Sequence, residues 1–188
     1  MKTTYSDFTH ARNEVSASSA GGAPFLICYG TTFILTGILA CFLPRETSAL
    51  IAMFQGTVAL PAAFWLERHL GSMRLPAENP LREFSAQLAI SQALAIPFLI
   101  VLYNINPGQI PVALAGLGGV HLLPYAWLHR TRIYIILSVI ISVGAFLLIL
   151  ALGGDAYVYI LLLVGLAYWV AAPLVYRHAK RIVAETTA

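Results

Sequence analysis

Gln87, Ser91 and Gln92 lie in one apolar stretch of the chain, and His121 and Tyr125 lie in the next. These five side chains are of types that bind solutes or do chemistry. His121 and Tyr125 are four residues apart and share one helical face, as do Gln87 and Ser91. Gln92 is about 100° round the helix from Ser91, so only one of the two can point at His121. A serine hydroxyl beside an imidazole is the nucleophile–base pair of covalent catalysis. Amides, a phenol and an imidazole on facing helices also suit a small site for a neutral or weakly polar solute. The same groups can instead fasten two helices together, at about 0.6 kcal/mol per bond on average and about 1.7 at most.

What could bring these residues together is a membrane-spanning hairpin. The 188 residues are 59% hydrophobic and 10% charged, with a mean hydropathy of +0.80. Soluble domains carry roughly 25% charged residues. A span needs about 20 mostly apolar residues, and six segments qualify: 23–43, 48–66, 84–103, 110–128, 132–152 and 156–176. Short polar joints separate them, among them NINPGQ, where Pro107-Gly108 suits the centre of a type II turn. The expected fold is therefore an all-α polytopic membrane protein with six transmembrane helices. The third and fourth segments become antiparallel neighbours, which sets Ser91 and Gln92 at the depth of His121, and Gln87 at that of Tyr125.

Orientation follows from Lys/Arg asymmetry. Lys2, Arg12, Arg68, Arg74, Arg82, Arg130, Arg132, Arg177, Lys180 and Arg181 fall on one side of a six-span chain, and Arg45 alone on the other. The rule that basic residues stay in the cytoplasm gives an N-in, C-in topology. Trp65, Tyr103, Trp127 and Tyr176 sit near segment ends, where interfacial aromatics belong. Residues 1–22 are expected as a flexible cytoplasmic N-terminus, 23–176 as the transmembrane domain and 177–188 as a basic cytoplasmic tail. Asn79-Pro80 reads as the cap and first turn of the third helix.

The interior excludes several machines. No Asp, Glu, Lys or Arg lies in the six apolar cores, which argues against proton or sodium relays and voltage sensing. No HExxH motif is present, and His121 is the only histidine within a span, so neither a metal nor a cofactor is expected. His69, His129 and His178 read as interfacial neighbours of arginines. The slight basic excess is an orientation signal, with no nucleic-acid partner implied. Cys28 and Cys41 are about 20 Å apart along one helix and cannot bridge. Ala115 and Gly119 form a small-xxx-small seam that suits close packing inside the bundle, or a homo-oligomer or other membrane partner. Pro61, Pro97, Pro124 and Pro173 interrupt four spans.

At NPLREF, SQALAIPF and GGVHLLPYAWLHRTRIY the chain resembles a family of small bacterial multi-pass membrane proteins known only as a domain of unknown function. The resemblance covers about residues 22 to 180. It implies an all-helical protein of the bacterial inner membrane and supplies no activity. Three functions are consistent with the residues: a membrane protein that binds or passes a small solute through Gln87, Ser91, Gln92, His121 and Tyr125; a membrane-embedded enzyme acting on a lipid or isoprenoid with Ser91 and His121; and a non-catalytic accessory subunit.

Overall fold

The computed structural model describes residues 5–187, and among these it is all-helical. The helices are α1 (Tyr5–Ser18), α2 (Ala23–Leu39), α3 (Arg45–Phe54), α4 (Gly56–Leu70), α5 (Arg82–Ala93), α6 (Ile96–Ile105), α7 (Ile110–Leu128), α8 (Ile133–Leu152) and α9 (Ala156–Thr187). Five helical stretches are long and apolar enough to cross a membrane: Ala20–Leu39, Arg45–Leu70, Arg82–Ile105, Pro107–Leu128 and Ile133–Glu185. The last, at 53 residues, holds α8 and α9 joined by a 3-10 turn at Gly153–Asp155, so the number is five or six according to how that stretch is divided.

Two of the expected spans are broken. α5 ends at Ala93 because Pro97 has no N–H for the Ala93 carbonyl and its ring crowds it; the chain turns through Leu94-Ala95 and resumes as α6. The second span breaks at Gln55, a buried residue between α3 and α4. Pro61, Pro124 and Pro173 are carried within α4, α7 and α9. Pro107-Gly108 makes no type II turn. Residues 107–109 form a 3-10 turn in which the Asn106 carboxamide oxygen accepts from the Gly108 N–H at 2.9 Å. Asn79 likewise binds the Leu81 N–H, so α5 begins at Arg82 rather than just after Pro80.

The N-terminal segment corrects the expectation of a flexible leader over 1–22. From Tyr5 to Ser18 it is helix, with Ala11, Val15, Ser16 and Ala17 buried; residues 1–4 lie outside the described part. Ala20, Gly21 and Gly22 then take positive φ (52°, 66° and 82°) and turn the chain into α2. At Gly22 the geometry demands glycine, since a Cβ would overlap the Tyr134 hydroxyl.

α9 is the central element, packed chiefly against α2 and α8, and α7 packs against α8. α2 and α9 approach backbone to backbone: a Cβ on Gly30 would lie 3.0 Å from the Gly165 carbonyl oxygen, and one on Gly165 2.9 Å from that of Gly30. The Ala115/Gly119 seam is occupied within the chain. Both residues are buried, and Ser138 of α8 donates to the Gly119 carbonyl at 2.6 Å.

The joints gather at two ends. At one, Arg45 pairs with Asp155 at 3.9 Å and its guanidinium lies beside Gly154 and Gly108. At the other, α1 lies against the 71–81 loop, with Asn79 donating to the Ala11 carbonyl at 3.0 Å and to Glu14 at 2.7 Å, while Lys180 donates to Ser72 at 3.2 Å. Here α7 stops in a Schellman motif: the Arg130 N–H bonds the Trp127 carbonyl and the Thr131 N–H the Ala126 carbonyl. The left-handed position falls on Arg130 (φ 54°) rather than on a glycine.

Candidate functional site

α7 carries His121, Tyr125 and His129 at intervals of four, hence on one face. Ser91 of α5 places its Oγ 3.2 Å from His121 Nδ1, and the same hydroxyl donates to the Leu88 carbonyl at 2.7 Å. A hydroxyl has one proton. With it directed at Leu88, Ser91 Oγ accepts from Nδ1–H, which leaves the His121 Nε2 lone pair as an acceptor. Neither residue is fully buried: His121 is half-buried and Ser91 exposed on the protein surface. The Tyr125 ring meets the His121 ring edge-on at 5.3 Å. Gln87 and Gln92 are exposed, and among the described residues neither is hydrogen-bonded to His121 or Tyr125. The structure thus brings together Ser91, His121 and Tyr125 of the five residues, and leaves the two glutamines at the surface.

From Tyr125 the aromatic ladder runs toward the α1 end. Tyr125 stacks on His129 at 5.9 Å and lies 5.8 Å from Tyr134 of α8; His129 and Tyr134 are 5.6 Å apart. His129 was expected at the interface beside arginines, but it is 2% exposed. Its Nδ1 lies 3.1 Å from the Oγ of Ser16, itself wholly buried, and its carbonyl accepts from His178 Nε2 at 3.2 Å. Burial, and secondarily the neighbouring His178 imidazole, push the His129 imidazole down to about 3. Tyr134 donates to the Gly21 carbonyl at 2.5 Å. The ladder therefore pins α1 and the Gly21-Gly22 turn onto α7 and α8. Its sequence signal was the four-residue spacing 121–125–129. That signal was masked because Arg130 and Arg132 mark the neighbourhood as interfacial and because the partners Ser16 and Gly21 fall in a stretch of low hydropathy.

Ser91 and His121 stand at a distance a nucleophile and base can have, but the Ser91 proton is committed to Leu88. The α7 amides that could stabilise an oxyanion already serve the helix. One surface hollow, of about 510 Å³, is lined by Arg12, Trp127, Arg130 and Arg132 among others, and another, of about 590 Å³, by Ala77, Asn79, Pro80, Arg82 and Glu83; neither of these touches His121. Among the described residues, no three His, Cys, Asp or Glu side chains are grouped to hold a metal.

A family model described as a family of unknown function (DUF7010) matches residues 8–178. The chain belongs to that family. The DUF7010 match runs from within α1 through most of α9, including both residues of the Ser91–His121 contact and the whole aromatic ladder. No curated protein and no solved structure matches the chain.

Proposed function

We propose that the chain is an integral protein of the bacterial inner membrane, with both termini cytoplasmic, that binds a small neutral or weakly polar solute on the face shared by α5 and α7. The observation that carries this reading is the half-buried His121 imidazole, whose Nδ1 lies 3.2 Å from Ser91 Oγ while Nε2 has no hydrogen-bond partner among the described residues; with the Ser91 proton on Leu88, that nitrogen is an acceptor. A ligand with one hydroxyl, amine or amide donor satisfies that nitrogen. Gln87 and Gln92, on the same α5, offer further polar contacts. An unpaired polar group facing hydrocarbon is costly, which favours an occupant over bare lipid. The ten-to-one division of basic residues supports the orientation. Reporter fusions at Ala188 and within 104–109 are expected on opposite sides of the membrane; the same side for both overturns the six-span topology.

A second reading, a non-catalytic accessory subunit in which Ser91–His121 is an interhelical fastener, draws on the contact itself, which joins α5 to α7. His121→Asn separates the readings. A bond between helices in a bilayer is worth about 0.6 kcal/mol, so the variant's thermal midpoint is expected within a few degrees of the wild type. In a thermal-shift screen of neutral metabolites against purified protein, a solute that stabilises the wild type and not the variant supports the site. If no solute does so, and the variant's only change is lower stability, the fastener reading stands.

A further inference from the structure

Independently of the His121 face, we infer that the hollow at the α1 end binds the phosphate of an anionic phospholipid. Three arginines from three segments line it: Arg12 of α1, Arg130 of the α7–α8 turn, and Arg132, which precedes α8. They are held differently. Arg12 Nη2 donates to the Trp127 carbonyl, and the guanidinium lies over the Trp127 ring, 4.6 Å from its centroid. Arg130 Nη1 donates to the Asn13 carboxamide at 2.8 Å, a neutral partner. The Arg132 side chain makes no hydrogen bond or ion pair among the described residues, and no carboxylate there pairs with Arg130 or Arg132. Each guanidinium has five donors in a planar fork that matches phosphate oxygens. Three arginines line one hollow, and among the described residues no carboxylate is paired with Arg130 or Arg132.

Two further features point to a lipid rather than to a free anion. The remaining wall is apolar: Leu123 and Ile135 belong to the hollow and are exposed on α7 and α8, two helices of membrane-spanning character. An acyl chain can run down that wall while its phosphate stays with the arginines at the level of Trp127, an interfacial aromatic. The backbone adds a separate argument. Arg130 occupies the left-handed position of the Schellman motif, where a non-glycine residue is strained and glycine is the unstrained choice. Strain at such a position is grounds for asking what the side chain does. Here the strained position belongs to one of the three arginines that line the hollow.

The test uses the full chain in neutral detergent with equal amounts of phosphatidylglycerol and phosphatidylcholine of identical acyl chains, and native mass spectrometry to read the retained lipid. The wild type is expected to prefer phosphatidylglycerol by roughly tenfold, the scale of one charge-assisted hydrogen bond. Arg132→Gln, which removes no bond seen in the fold, should leave the thermal midpoint within about 2 °C and bring the preference to about twofold or less. Arg68→Gln with Arg74→Gln, charges elsewhere in the chain, should leave it intact. Leu123→Asp keeps every arginine but puts a negative charge on the hollow's apolar wall, and should lower retention to the level of the Arg132→Gln variant or below. The inference is overturned if Arg132→Gln keeps the wild-type preference, if the Arg68/Arg74 variant loses as much, or if Leu123→Asp retains lipid as the wild type does. Displacement of the lipid by millimolar inorganic phosphate overturns the lipid assignment, because the anion alone would then be the ligand.

Discussion

Gly22→Ala is expected to lower stability by about 3 kcal/mol or more and to prevent accumulation of folded protein at growth temperature. Its φ of 82° costs an L-residue about 1–2 kcal/mol. The new Cβ also overlaps the Tyr134 hydroxyl, which must then give up its bond to the Gly21 carbonyl inside the fold. A buried group left unsatisfied costs about 1–3 kcal/mol more. Two controls isolate these contributions. Gly153 also has positive φ (56°) but nothing within 4 Å of a Cβ, so Gly153→Ala should show the backbone cost alone. Gly116 has open space and no positive φ, so Gly116→Ala should be neutral or stabilise by up to about 1 kcal/mol. Thermal midpoints in detergent rank the three; a Gly22→Ala no worse than Gly153→Ala would show that Tyr134 does not depend on the turn.

Stability is expected to be flat above pH 6.5 and to fall steadily below it, because of His129. In the unfolded chain its imidazole titrates near 6.5, whereas in the fold burial, with His178 beside it, brings it to about 3. Between those values the unfolded state binds a proton that the folded state refuses. Stability therefore rises with pH across this window and is lost as pH falls, by about 1.4 kcal/mol per pH unit for one proton. Other groups also titrate there, so the measurement is a comparison. Denaturation midpoints from pH 8 down to 4.5 should decline more steeply in the wild type than in His129→Gln, which has no proton to exclude. Parallel curves would mean that the imidazole can be protonated in place, with Ser16 and the ladder adjusting around it.

What the sequence made legible was governed by the bilayer. Apolar runs of span length mark helices whatever their partners, so α2, α7 and α8 lie close to where hydropathy put them; α9 starts at the expected residue but runs on as helix to Thr187, through most of the segment 177–188 expected as a basic tail. The six-residue joint between the third and fourth segments constrained depth well enough to set Ser91 opposite His121. What hydropathy could not show was set by contacts distant in the chain. α1 has little apolar periodicity of its own; small residues such as Ala11, Val15 and Ala17 gain burial only because the 71–81 loop, α7 and α9 come to meet them. His129 looked interfacial because of its neighbours in sequence, while its burial depends on Ser16, Tyr134 and His178, each from a different segment. At Pro107-Gly108, the Asn106 side chain supplied the bond to the Gly108 N–H and the chain stayed in a right-handed 3-10 turn, so the left-handed glycine of a type II turn was not needed.

The close seam between α2 and α9 bears on how the chain is made. α2 begins at Ala23 and its main partner at Ala156, so about 130 residues must emerge before the two can meet. At synthesis rates of about 5–20 residues per second, the first membrane helix waits roughly 7 to 26 seconds. During that interval the groove at Gly30 and Gly37 is lined only by lipid or by whatever assists insertion. Closure then joins the two ends of the chain in a contact of long sequence separation, the kind that slows folding. A chain released before α9 keeps its apolar helices and can insert, yet lacks the element against which α2, α8 and the Gly21-Gly22 turn are packed. Quality control would meet a stably inserted but unassembled helix set, and degradation rather than failure to insert would be the fate of truncated protein.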